Sequence, residues 1–116
     1  MKKIIVRIWQ GKVLEAKAEE YTRYHFEAGV KRIQGIAGNL GVQVLRRTEK
    51  AITEFTTISY WESRGAIHRF AGEAIEQPHH LPKDPEYLIE LPNRVLHYEL
   101  DYSDLSKVAH SDVGRQ

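Results

Sequence analysis

Apolar residues occupy both phases of the first stretch of the chain. Ile4, Val6 and Ile8 alternate with Ile5, Arg7 and Trp9, so residues 2–9 read as a strand apolar on both faces. A strand of that kind is normally covered on both sides. Over residues 14–34 the period changes: Leu14, Ala18, Tyr21, His25 and Ala28 fall on one helical face. Glu15, Glu19 and Glu20 crowd its start and Lys31 and Arg32 its end, the sense that the helix dipole favours. Gly29 predicts a kink or brief interruption, and Gly35 the stop. Residues 40–48 and 52–62 return to strand character, separated by a short polar link around Thr48-Glu49-Lys50, which predicts an antiparallel hairpin. Ser63 is placed to cap a short helix with Ala66, Ile67, Phe70 and Ala71 as its buried stripe and Gly72 as its end. All four prolines lie between Pro78 and Pro92, so that stretch is not one helix. Within it, Asp84-Pro85-Glu86 reads as a cap followed by Pro at the first helical position, opening a turn or two to Leu91. Residues 93–102, with Val95, Leu96, Tyr98 and Leu100, form the last strand.

The predicted order is β-α-β-β-α-β, an α+β, ferredoxin-like fold with a four-stranded antiparallel sheet. Residues 1–102 make up the domain, and 103–116 are a polar tail expected to fray or to pack on a partner. Two helices cover only one face of such a sheet. The other exposes alternating apolar side chains, Ile4, Val6 and Ile8 among them, and predicts a homodimer.

The 116 residues suffice for one modest core. Lys plus Arg number 17 and Asp plus Glu 16, a balance that argues against nucleic acid as a partner. Lys2-Lys3, Lys31-Arg32 and Arg46-Arg47 read as solvated faces. Without cysteine there is no disulfide, thiolate metal site or thiol nucleophile. No apolar run approaches a membrane span, and the two N-terminal lysines precede no leader-like segment, so the expectation is a cytoplasmic protein that does not engage a membrane.

Few residues announce chemistry. Arg7 stands in an apolar strand, where its charge must reach water, an acidic partner or a ligand. His79 and His80 are adjacent, and in an extended segment they point opposite ways. No HExxH-like motif accompanies them, and no metal site is expected. Gly35, Gly38 and Gly41 lack phosphate-loop spacing and run from helix into strand, which suits turn geometry. No Ser/His/Asp triad or carboxylate pair emerges.

The ordered landmarks say more. Trp9-Gln10-Gly11 closes the first strand and Gly38-Asn39-Leu40-Gly41 opens the second. Tyr60-Trp61-Glu62-Ser63 runs into Ile67-His68-Arg69-Phe70-Ala71-Gly72, and Leu96-His97-Tyr98-Glu99 sits on the last strand. Over residues 4–100 this set resembles the antibiotic-biosynthesis monooxygenase (ABM) family. The resemblance implies a dimeric α/β barrel with a pocket between sheet and helices. Trp9, Tyr21, His25, Trp61 and Phe70 are the candidate substrate-binding residues; Tyr21, Trp61 and Phe70 are also readable as core, and His25 as a satisfied helix histidine. It further implies cofactor-independent oxygenation of a small phenol- or quinol-type aromatic. His79 or His80 would then be the base, on a proline-rich lid, and Arg7 the group that stabilises the phenolate. Two other functions stay open on the same scaffold: a non-catalytic ligand-binding or stress-response protein, and a heme-binding or heme-degrading one. The heme-degrading branch uses an asparagine on strand one, a tryptophan on the second helix and a histidine after it; here Arg7, Phe70 and His79 or His80 stand at those places.

Overall fold

The computed structural model describes residues 3–92 and 94–105. Four strands form one antiparallel sheet in the order β2-β3-β1-β4. They are β1 (Ile5–Leu14), β2 (Asn39–Glu49), β3 (Ile52–Trp61) and β4 (Leu96–Glu99). The element order is the α+β, ferredoxin-like one expected. β1 is central because it pairs along its whole length with β3, from Ile5 opposite Trp61 to Leu14 opposite Ile52. Its other edge carries β4, from Ile5 opposite Glu99 to Ile8 opposite Leu96.

That full-length pairing corrects the expected first strand. It does not stop at Trp9 but continues through Gly11, because Lys12 and Val13 still find Glu54 and Thr53 across the ladder. Leu14 therefore ends a strand, 51 % exposed, and does not belong to the helix's buried face. The β2–β3 turn falls on Lys50 and Ala51, with φ of 54° and 64°. Two successive left-handed residues are what a two-residue turn needs to match the twist of its strands.

The long helical stretch is built in pieces. A 3-10 turn, Glu15–Lys17, leads into α1 (Ala18–His25); a π turn, Phe26–Val30, follows; α2 (Lys31–Gln34) completes it. The interruption expected at Gly29 is that π turn. α3 (Arg64–Ala71) starts where Ser63 Oγ accepts from the Ala66 amide at 3.1 Å, and ends at Gly72, whose φ of 81° suits glycine. α4 (Asp84–Tyr87) is a single turn. It ends before Leu91 because Leu88 turns extended and bridges Val13, and the Ile89 amide donates to Lys12 O at 2.9 Å. β4 is shorter than residues 93–102 because the Val95 amide leaves the ladder for Glu76 O, at 2.8 Å. Most of the 103–116 tail lies outside the described residues.

Helices and loops cover one face of the sheet. Against it pack two clusters, one around Trp61, Ile67 and Phe70, the other around Tyr21, Phe55 and Val13. On the opposite face Ile8, Ile58 and Tyr60 are half-buried, while Leu45, Leu96 and Tyr98 are 44–52 % exposed. Among the described residues no helix is long and apolar enough to cross a membrane.

Candidate functional site

Alternation on β1 sends Arg7 and Trp9 to the helix-covered face, opposite Ser59 and Thr57 of β3. Helical spacing sends His25 and Gly29 down onto them. Between these walls, closed by Phe70 of α3 and by His79, Leu81 and Asp84 of the proline-rich segment, lies a cavity of about 40 Å³. That is room for a few waters, against the roughly 300–1,000 Å³ of established small-molecule pockets. Segment 73–92 covers it in part. Gly29 helps: a Cβ there would meet Leu81 Cδ1 at 3.2 Å, so the missing side chain lets Leu81 settle on the helix.

Arg7 is 4 % exposed. Its guanidinium donates to the carbonyl oxygens of Ile75 (2.5 Å) and Gln77 (3.2 Å), and reaches His97 Nε2 at 3.1 Å. The three ion pairs among the described residues are surface pairs on other side chains, and none gives Arg7 a carboxylate. Burial, partly offset by Glu76, lowers the Arg7 pKa to about 10, so it remains a cation at neutral pH. His97, facing it from β4, is lowered to about 4, by burial first and then by the Arg7 charge. Neutral His97 thus serves as an acceptor. Arg7 also lies 5.6 Å from the Phe70 ring centroid, and Arg32 lies 5.2 Å from it.

On the other wall the His25 ring is stacked between Trp9 and Tyr21, with centroids 5.2 and 5.3 Å away and planes 20° apart in both cases. His25 Nε2 is 2.7 Å from Thr57 Oγ1 and Nδ1 is 3.4 Å from the Tyr21 hydroxyl. Tyr21 donates to Asp84 Oδ1 at 3.1 Å, and Asp84 Oδ2 accepts from the Leu81 amide at 2.9 Å. Burial depresses His25 to about 4 and raises the Asp84 carboxyl above its ordinary value, the latter against the hydrogen bonds from Leu81 and Tyr21.

Of the residues singled out in the sequence, Arg7, Trp9, His25, Phe70 and His79 line the cavity. Trp61 does not; it is fully buried behind Phe70, stacked on it at 6.1 Å, and donates to Ser59 Oγ at 2.8 Å. Tyr21 lies behind His25, completely buried. His80 is exposed, whereas His79 packs on Phe70 at 5.0 Å, with its Nε2 accepting from Arg32. Burial and the nearby Arg32 and Arg7 charges lower the His79 pKa. Sequence reasoning passed over Thr57, Ser59, Asp84 and His97. Thr57 and Ser59 do leave a signal, two hydroxyl residues on the buried phase of β3. Asp84 reads as a helix cap, and nothing local reveals its link to Tyr21. Among the described residues no group of three or more His, Asp or Glu side chains is placed to hold a metal ion.

No protein-family model matches the sequence, and no curated protein matches it. Solved structures do share its fold. A Nitrosomonas europaea protein assigned as an antibiotic biosynthesis monooxygenase superposes with a TM-score of 0.65 at 17 % identity, over 88 % of this chain and 94 % of its own. The monooxygenase from the ActVA-Orf6 gene of Streptomyces coelicolor, solved with nanaomycin D, gives 0.53 at 15 % identity, over 91 % and 94 %. The heme degrader MhuD of Mycobacterium tuberculosis, solved with two hemes in its active site, gives 0.54 at 21 %, over 86 % and 98 %. The fold is therefore that of the ABM structures; at these identities the likeness is one of fold.

Proposed function

We propose that this protein is an ABM-type monooxygenase that oxidises a small phenolic or quinol-type aromatic with molecular oxygen and no cofactor. The observation that carries the reading is Arg7: a buried cation with no ion-pair partner among the described residues, on the wall of a cavity that sets indole, phenyl and aliphatic surface beside His25, Thr57, Ser59, His79 and Asp84. A planar ligand bearing a developing phenolate matches that combination. Likeness to a monooxygenase solved with nanaomycin D adds support at the level of fold.

The chemistry is balanced without outside electrons. Ionisation makes the ring electron-rich enough to reduce oxygen directly. One oxygen atom enters the ring as a quinone carbonyl, the other leaves as water, and the substrate supplies all the electrons. The protein's part is to hold the ring between Trp9 and Phe70, stabilise the anion at Arg7, present His79 at the rim and exclude water. A cavity of about 40 Å³ is smaller than an aromatic ring, so binding requires its His79 rim to give way while Asp84 keeps its bonds to Tyr21 and the Leu81 amide. A second copy of the chain on the uncovered sheet face completes the proposed assembly, a homodimer.

A heme substrate has less support. His79 Nε2 accepts from Arg32, which leaves that nitrogen no lone pair for an iron.

Oxygen uptake tests the reading, followed with a panel of hydroquinones and polycyclic phenols in metal-chelated buffer without flavin or reductant. Uptake well above the buffer rate with at least one phenol is expected. None across the panel favours a purely binding role, and a sharp Soret band on adding heme favours the heme alternative.

A further inference from the structure

We propose that Thr57, His25, Tyr21 and Asp84 form a proton relay that takes the hydroxyl proton of a phenol bound in the cavity and stores it on Asp84. The proposal rests on the functional reading above and supplies it with a base.

The direction of the relay follows from hydrogen-bond accounting. The Tyr21 hydroxyl gives its one hydrogen to Asp84 Oδ1. Its oxygen can then only accept from His25 Nδ1, which puts the imidazole hydrogen on Nδ1. Nε2 is left bare and accepts the Thr57 hydroxyl hydrogen across 2.7 Å. Every donor in the chain therefore points the same way, from Thr57 on one wall of the cavity, behind His25, to Asp84 on another. Thr57 Oγ1 makes no other hydrogen bond among the described residues, so its lone pairs are available to a hydroxyl in the cavity. The Trp9 and Tyr21 rings hold the imidazole plane in place. The π turn that starts at Phe26 directly follows His25 in the chain, a feature common beside functional positions.

Each bond broken is matched by one formed. The ligand O–H breaks as a new O–H forms at Thr57; the former Thr57 hydrogen passes to His25 Nε2. The Nδ1 hydrogen passes to Tyr21, and the former Tyr21 hydrogen to Asp84 Oδ1. No electron is transferred. One negative charge moves from Asp84 to the ligand oxygen in the cavity that Arg7 also lines. Burial disfavours an imidazolium at His25 and favours a protonated Asp84. Both preferences suit a relay in which His25 gains and loses a proton together. His79, whose Nε2 lone pair is taken by Arg32, is left as a donor.

Two measurements decide it. Nitrogen-15 NMR of the ligand-free protein at neutral pH should show His25 protonated at Nδ1 and bare at Nε2; the opposite tautomer overturns the relay whether or not any ligand binds. The second uses 4-nitrophenol as a chromogenic probe, about one unit below its solution pKa, where roughly a tenth of it is ionised when free. Bound to the wild type it should absorb as phenolate, with no proton released to a weakly buffered indicator solution. Bound to Asp84→Asn, it should stay neutral or release one proton for each phenolate formed. A probe that stays neutral on the wild type, or an Asp84→Asn protein that still forms phenolate without release, overturns the relay alone. If the probe and every phenol of the oxygen-uptake panel fail to bind, the functional reading falls and the ligand end of the relay falls with it. Should Asp84→Asn fail to fold, Thr57→Val read with the same probe replaces it, and phenolate formation undiminished from wild type overturns the relay.

Discussion

The guanidinium of Arg7, on the central strand, donates to the carbonyl oxygen of Ile75 at 2.5 Å, so the charge that faces the cavity also holds down the segment that closes it. Arg7→Met would leave the carbonyls of Ile75 and Gln77 without their donor. An unsatisfied buried group costs about 1–3 kcal/mol, so a loss of stability of that order is expected by urea denaturation. Hydrogen exchange should quicken over 73–80 while β3 stays protected. In the wild type, 73–92 should already exchange faster than β3; equal protection would count against its being a movable cover.

Trp61→Ala should cost about 3–5 kcal/mol, the range for emptying a fully buried aromatic site. The denaturation midpoint should fall with little change in slope. Trp61→Phe should restore much of the stability and leave affinity for phenols close to wild type, because Trp61 supports Phe70 without lining the cavity.

Acid should destabilise the protein over a defined window. His25 has a folded pKa of about 4 against an ordinary 6.5. Above 6.5 both folded and unfolded states hold it neutral, and its contribution is fully present. Between the two values the unfolded chain binds the proton and the folded one does not, so stability falls with pH, by at most about 1.4 kcal/mol per unit from this group. Half-buried His97 acts in the same sense. Urea midpoints from pH 7 down to 4.5 measure the slope, and His25→Gln should flatten it.

On the uncovered face Val6 lies opposite Tyr98, and Ile8 opposite Leu96. The wild type should sediment as a dimer at low micromolar concentration, burying on the order of 2,000 Å² or more in total, as obligate interfaces do. Leu96→Asp should shift it to monomer, since the charge would be buried without a partner. A stable, folded wild-type monomer would sink the homodimer.

Much of this fold is legible in the chain because its signals are local. The alternation in β1, β2 and β3 and the Ser63 and Gly72 boundaries of α3 need no knowledge of distant residues. Where β1 and β4 end is different, since it depends on partners. β1 continues past Gly11 because β3 is there to pair with it, and β4 loses Val95 to Glu76. The site divides the same way. Arg7 stands out as a charge among apolar residues, and His25 lies on the inner helix face. But the bond from Tyr21 to Asp84 spans 63 positions, and that from Arg7 to His97 spans 90. Neither pairing leaves a periodic trace. Nor does local spacing say that Trp61 sits behind Phe70 rather than beside it.

The indole of Trp9 is folded back along its own strand, so that a Cβ on Gly11 would come within 2.5 Å of Trp9 Cη2. The absent side chain at position 11 is thus what allows the ring its present tilt against His25. The bulk of that residue acts as a set-screw: a methyl group there would drive the indole off its seat, changing the shape offered to a guest from a point that never meets it. Variation in chain chemistry at Gly11 is therefore a route by which selectivity can drift while every group in contact with the guest stays the same.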